Sequence, residues 1–329
     1  MLKLESDQLD FHSQLLEDLV REDHPYRKIK QLINFEKLLK PFHSLYSGKG
    51  AQGIAVEIGF KCLLLQFYAD LSDRQMENAL KDNVPTKWFC GFVLLEKTPD
   101  HSYFGKLRQR IGTQKLAELF NQITAQLRDK QMISDVFTFV DATTLTRKVG
   151  LWKERDKAIA EGLEKLNNQN VEKFSADKDA RFGCKGKKKF WYGYKRHCSI
   201  DMKHGLIKET AVTPANVPDA KVLEAICPDQ GMVFGDKGYS TEEARQILQK
   251  KGCHSGIIRK NNDLQKNKEK DRWRTQVRMP FEGTFAKLSK KSRYRGTAKT
   301  QFQATFEALA FNIKRLIKIN APPNLVVGA

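Results

Sequence analysis

The feature that most restricts what this chain can fold into is a change of texture near residue 136. Up to about residue 130, apolar residues recur at three- and four-residue steps, as in "HPYRKIKQLINFEKLLKPF", which is the period of amphipathic helices. An apolar helix over Ile54–Ala69 follows, and Ser72 with Gln75 makes a capping box ahead of "RQMENAL". "PDHSYFGKLRQRIG" and "TQKLAELFNQITAQLRDK" complete an all-helical region over 1–130. Then "VFTFVDATTLT" is dense in β-branched and aromatic residues and predicts a strand. "FWYGYKRHCSID" and "GLIKETAVTPA" predict two more, joined through "MKHG" in a hairpin with Gly205 in its turn. "DAKVLEAIC" reads as a helix, "GMVFGD" as a strand and "TEEARQILQKKG" as a helix opened by a capping box of Ser240 and Glu243. "HSGIIRK" is a last strand. In the order β-β-β-α-β-α-β-α, the turn-linked strands are antiparallel and the helix-linked ones parallel to the first. That predicts an α/β domain over 131–320: a mixed five-stranded sheet with helices on both faces. The polar stretch 147–189, with "AIAEGLEKLNNQN" as a short helix, reads as an insertion, and 321–329 as a loose tail.

This topology directs attention to acids. Asp141 follows "FTFV" on the first strand and Asp236 follows "MVFG" on the fourth. Ligands of open α/β sheets gather outside the carboxyl ends of the strands. Two carboxylates brought close repel each other. Divalent metal removes that conflict, and hard oxygen ligands suit Mg²⁺; two such ions about 4 Å apart serve phosphodiester chemistry. A third acid is expected from a helix after the last strand. "VRMPFEGTFAKLSKK" supplies Glu282, four residues after Arg278 and on the same face, with Pro280 marking a helix start or kink. Each acid has a plainer reading: Asp141 and Asp236 as turn residues, Glu282 as the solvated partner of Arg278. Their joint placement favours a site. Glu307 is the rival glutamate. Tyr239 either supports the site through a hydrogen bond or base contact, or packs on the following helix.

The charge balance points to a polyanion. The 329 residues carry 58 Lys+Arg against 39 Asp+Glu, a net charge of +19. Residues 181–195 hold six basic residues and no acid, with Lys185, Lys187, Lys188 and Lys189 expected to face phosphates. Phe190, Trp191, Tyr192 and Tyr194 are expected to turn mostly into the strand core. Residues 259–295 hold thirteen Lys+Arg against four Asp+Glu, a second phosphate surface that includes Arg278, Lys287, Lys290, Lys291, Arg293 and Arg295. No membrane span is expected, because Glu57 and Lys61 interrupt the most apolar run, which falls short of the ~18 residues a span needs. Acids interrupt the N-terminus and no signal peptide is read there. Six cysteines without a C-x-x-C pair indicate reduced thiols and no zinc framework.

"LSDRQMENAL", "TPDHSYFGKLRQRIG", "FVDATTL", "SADKDARFGCKGKKKFWYGYKRHCSID", "GLIKETAVTPANVPDAK" and "VFGDKGYS" together resemble bacterial insertion-sequence transposases of the DDE type. The resemblance runs over nearly the whole length. It implies an RNase H-like catalytic domain behind a helical N-terminal region for DNA binding and assembly. It implies that Asp141, Asp236 and Glu282 are the metal-binding catalytic triad, with two Mg²⁺ ions that Mn²⁺ can replace. Cleavage of double-stranded DNA at terminal inverted repeats, strand transfer into target DNA, action as a homodimer or larger assembly, and a cytoplasmic, nucleoid-associated site follow from it. Relatives place a Tyr-x2-Arg-x3-Glu-x6-Lys pattern around the glutamate. Arg278 and Glu282 fit it, whereas Thr275 and Ser289 stand at the tyrosine and lysine positions. A nuclease of the same fold without transposition shares these acids, and a non-catalytic DNA-binding derivative is a further alternative.

Overall fold

The structure is a computed structural model and describes residues 11–45, 53–147, 151–162, 166–185 and 189–327. The chain divides into two compact units, one of residues 1–130 with 309–329, the other of residues 131–308.

The first unit is helical. Val56–Tyr68 is its buried helix, with Phe60, Leu63, Leu64 and Leu65 all but inaccessible. The Ser72 capping box forms as expected and opens Asp73–Asp82. Asn83 closes that helix and caps the next, Val84–Cys90, by accepting the Thr86 N–H. His101–Ile111 and Thr113–Asp129 follow. The C-terminal residues, expected to hang loose, dock instead. Leu325 and Val326 are buried, Val326 bridges Ile33, and the Val327 N–H donates to Gln126 Oε1 at 2.9 Å. The apolar "LVV" run outweighs the ordering cost of a short tail.

The second unit holds a seven-stranded sheet: β1 (Phe137–Arg147), β2 (Arg181–Lys185), β3 (Lys189–Asp201), β4 (Ile207–Pro214), β5 (Met232–Gly235), β6 (His254–Ile257) and β7 (Lys291–Ser292). The five expected strands are β1, β3, β4, β5 and β6. They lie in the order β4-β3-β1-β5-β6, with β3 antiparallel to β1 and β4, and β5 and β6 parallel to β1. This mixed order is the RNase H-like arrangement. Two short strands extend it. β2 pairs the start of β3 on the edge that β4 occupies further along, and β7 pairs the far end of β1. Gly193 sits where β1 and β2 both meet β3. Its φ is 143°, and an added Cβ would lie 2.3 Å from the Leu145 carbonyl oxygen, so only glycine fits.

Alternation along β1 sorts the two faces. Val140 packs with Ala220, Leu223, Ile226, Tyr239, Ala244 and Leu248, the face covered by residues 219–226 and 242–250. Phe139 lies on the opposite face against Phe285, ring centroids 5.8 Å apart. The helix Lys268–Ala286 covers that second face. It starts at β6, where Arg274 Nη1 donates to the Ile257 carbonyl at 3.0 Å, passes Phe234 of β5 through Trp273, and reaches β1 through Phe285. Pro280 neither starts it nor ends it; Asn267 caps it well upstream. The polar 147–189 stretch also sends Ala158, Leu166, Val171, Phe174 and Ala180 into a buried cluster with Leu145, Tyr192 and Tyr194. The cap expected at Ser240 falls one residue later, as a single N-cap bond rather than a box, because Ser240 closes the 3₁₀ turn Lys237–Tyr239. Thr241 therefore caps Glu242–Lys250.

Candidate active site

Asp141 stands two residues past Phe139, so its side chain lies on the face covered by Lys268–Ala286. Asp236 caps the 3₁₀ turn at the carboxyl end of β5, with Oδ1 accepting the Gly238 N–H at 2.8 Å. Phe139 and Phe234 are in register on the neighbouring parallel strands, so Asp141, mid-strand in β1, lies level with Asp236, which follows the carboxyl end of β5. They feel each other. Burial pushes the Asp141 carboxyl up to about 7, and the charge of Asp236 adds to the shift, while Arg278 and Lys185 oppose it. The one hydrogen bond Asp141 accepts is from the Ala142 N–H, at 2.8 Å. Among the described residues, neither aspartate forms an ion pair, although the chain carries 58 Lys+Arg.

Glu282 occupies a different environment. Its Oε1 lies 3.0 Å from Arg278 Nη2, and its side chain is 47% exposed. Arg278, Glu282 and Phe285 follow one helix stripe. Phe285 anchors the stripe on Phe139, and the Arg278 guanidinium is within electrostatic reach of Asp141. The structure thus sets Asp141 level with Asp236, whereas Glu282 is linked to them only through Arg278, which it contacts and whose charge acts on Asp141. Among the described residues, no three His, Cys, Asp or Glu side chains form a group able to hold a metal ion. Glu307 is fully engaged elsewhere: Arg196 pairs with one carboxylate oxygen, and Gln303 Nε2 donates to the other at 2.8 Å.

The donor chemistry of the aspartate pair fits a hard divalent cation. Two carboxylates lie level on neighbouring strands, their oxygens are not taken up by protein cations among the described residues, and burial, with the charge of Asp236 adding to it, keeps Asp141 protonated to near neutral pH.

The basic residues sort less evenly. Lys185 is exposed on β2 and acts electrostatically on Asp141. Lys187 and Lys188 lie outside the described residues; Lys189 opens β3 opposite Lys185. Lys287, Lys290, Lys291 and Arg295 are exposed and Arg293 is half-buried. β7 lies beside Thr146 and Arg147, so this basic stretch borders the far end of the strand that carries Asp141. Of the four aromatics expected in the core, Tyr192 and Tyr194 are buried and Trp191 partly so, whereas Phe190 is 69% exposed. Tyr239 is buried against Val140 and the following helix, its hydroxyl without a hydrogen-bond partner.

Two clusters escaped the sequence reading. Asp177 is buried and binds Arg147 Nη1 at 2.5 Å, the Tyr194 hydroxyl at 2.7 Å and the Gly296 N–H at 3.1 Å. With Asp179 accepting the Thr297 N–H at 2.8 Å, it ties the "SADKDA" segment to β1, β3 and the start of the helix Thr297–Lys318. The second cluster is Lys195, His197 and Asp219. Its available signal was Lys195 and His197 at i, i+2 on a strand otherwise reading as core.

With this geometry in place, comparison with known proteins adds a family. Residues 134–313 match the family described as Transposase DDE domain, and residues 14–110 match Transposase domain (DUF772). The transposase for insertion sequence element IS1106 of Neisseria meningitidis serogroup B is 29% identical over 263 residues, covering 74% of this chain and 89% of the relative. Among solved structures, a piggyBac transposase synaptic complex with hairpin DNA aligns at TM-score 0.33 and 10% identity, over 94% of this chain and 77% of that one. A likeness that low carries no argument. Among the described residues, no helix is long and apolar enough to cross a membrane.

Proposed function

The chain belongs to the DDE transposases of insertion sequences, and from that premise we propose that it cleaves double-stranded DNA at transposon ends and joins the released ends to target DNA. The observation that carries this reading is the pair Asp141 and Asp236, level with each other on neighbouring strands and, among the described residues, unpaired with any cation in a chain of charge +19. Asp141, Asp236 and Glu282 would hold divalent metal, Mg²⁺ or Mn²⁺. When bound it supplies electrostatic stabilisation of charge developing on the phosphate oxygens.

The remaining work falls to the chain's own residues. Asp141 must release its proton before it serves as a ligand, and Arg278 and Lys185 both favour that release. Glu282, paired with Arg278, would be the third ligand. Lys185 and the exposed Lys287, Lys290, Lys291 and Arg295 hold phosphates on either side of the site. Two copies acting on paired ends complete the proposal. It is tested by nicking of end-containing DNA with Mg²⁺, by strand transfer into a plasmid, and by alanine at Asp141, Asp236 or Glu282. DNA binding is expected to persist in all three variants and nicking to be lost. Cleavage at the wild-type rate by Asp236→Ala refutes the assignment, and nicking without strand transfer reduces the protein to a nuclease.

A further inference from the structure

Behind the turn that carries Asp236, on the sheet face opposite Asp141, four polar side chains meet that no part of the proposed reaction uses. Lys195 and His197 are i, i+2 on β3 and share a face with Val140 and Ala142. Both reach the 3₁₀ turn Asp219–Val222. Lys195 Nζ lies 2.6 Å from Asp219 Oδ1, and His197 Nδ1 lies 4.0 Å from the same oxygen. The other His197 nitrogen, Nε2, is 2.9 Å from Thr213 Oγ1. Burial pushes the imidazole down to about 4, so it is neutral, and its Nδ1 is inaccessible and without a hydrogen-bond partner.

The turn bearing Asp236 touches the same carboxylate from above. A Cβ built on Gly238 would lie 2.9 Å from Asp236 Oδ1 and 3.5 Å from Asp219 Oδ2, so both acids flank this one glycine. Tyr239, next in the chain, is 1% exposed, and its hydroxyl is a second buried group without a partner. Burial holds its proton well above the usual phenol range, and Asp219 is the strongest of the charges that add to this, ahead of Asp141 and Asp236. The phenol is therefore a neutral donor set among three carboxylates.

We propose that Asp219 is a positioning residue for the second catalytic aspartate. Lys195 fixes the Asp219 carboxylate, and this carboxylate holds the Gly238–Tyr239 turn and so the direction in which Asp236 presents its oxygens. The inference rests on Asp236 being a metal ligand, as proposed for the reaction. At this corner Gly235 and Gly238 contribute no side chains, Lys237 points to Asn261 on the β6 side, and Tyr239 packs on Val140 and the following helix, so among the described residues Asp219 is the acid other than Asp236 that flanks Gly238.

The test is Mn²⁺ binding, read from loss of the free-ion paramagnetic resonance signal, alongside melting temperature and Mn²⁺-dependent nicking. The variants are Asp219→Asn, Tyr239→Phe, their double, and Asp236→Asn. Removing a residue that orients a metal ligand weakens metal binding about tenfold. Asp219→Asn is therefore expected to raise the Mn²⁺ dissociation constant about tenfold, and Tyr239→Phe to raise it by less. The double variant should be no weaker than Asp219→Asn, because both act through one node. A buried hydroxyl that merely fills space predicts the reverse for Tyr239→Phe, namely a higher melting temperature and wild-type Mn²⁺ affinity. That result overturns the proposal, as do additive losses that track a fall in melting temperature. Wild-type Mn²⁺ affinity in Asp236→Asn overturns the underlying assignment instead, and is told apart because the other variants do not enter it.

Discussion

Asparagine at position 141 should make the metal-free protein more stable, by an amount that depends on pH in a defined way. The Asp141 carboxyl moves from 3.8 to about 7 on folding. A carboxyl raised by folding binds its proton more tightly in the native state, so stability is lost as pH rises from the unfolded value to the folded one. Below about pH 4 both states are protonated and the group costs nothing. Each pH unit above that costs about 1.4 kcal/mol, which over roughly three units comes to about 4 kcal/mol, constant above about pH 7. Asp141→Asn removes the titration and keeps an oxygen for the Ala142 N–H. Urea unfolding of both proteins in chelator should give a gap of about 1.5 kcal/mol near pH 5 that widens to about 4 kcal/mol by pH 8. Added Mg²⁺ should narrow the gap, since a ligand of the native state stabilises the wild type by mass action. A gap independent of pH would refute a raised Asp141, and a destabilised Asp141→Asn would refute the claim that its charge is uncompensated.

Glu282→Gln should leave stability within about 1 kcal/mol, as expected for an exposed pair, while abolishing nicking. Glu307→Gln should instead lower stability by about 3 kcal/mol or more in urea unfolding, because Arg196 is left buried beside a neutral partner. Asp177→Ala should cost about 3–5 kcal/mol in the same measurement, stranding Arg147 and the Tyr194 hydroxyl. Replacing Lys290, Lys291 and Arg295 together by alanine should reduce the slope of log binding constant against log salt by about 0.9 for each phosphate these side chains neutralise. An unchanged slope would remove β7 and its flanks from the DNA surface.

The sheet was readable because its strands carry unambiguous period-two and β-branched patterns, and because connection length fixes parallel or antiparallel pairing. β2 and β7 were not, for opposite reasons. "RFGCK" is basic and glycine-containing and becomes a strand only by lying against β3, and two residues at 291–292 hold no pattern at all. Asp236 was readable as a strand-end residue, and Asp141 as the acid that follows an apolar run, although it lies mid-strand in β1. The partners that modulate them were not, since Lys195, His197 and Asp219 meet only through a strand and a turn more than twenty residues apart. Asp177 was hidden in the same way. In a polar segment it looks solvated, and only the fold shows that Arg147, Tyr194 and Gly296 surround it.

The pairing of charges in the second unit gives these observations a common logic. Asp177 lies against Arg147, Glu307 against Arg196, Asp135 against Lys208 and Asp219 against Lys195, so these four acids are cancelled locally, and the buried Asp201 is held instead by the Ser134 and His204 N–H groups. Removing one partner of such a pair leaves an uncompensated charge, so these pairs constrain the fold tightly even where they add little net stability. Asp141 and Asp236 break the pattern. They are adjacent and repel, and no lysine or arginine among the described residues is in contact with either, though Lys185 and Arg278 are near enough to temper Asp141. A chain with nineteen surplus positive charges has no difficulty supplying a cation. The exception therefore has a cause other than scarcity, and the proposed binding of a cation from outside supplies one, since such a site must not be filled from within.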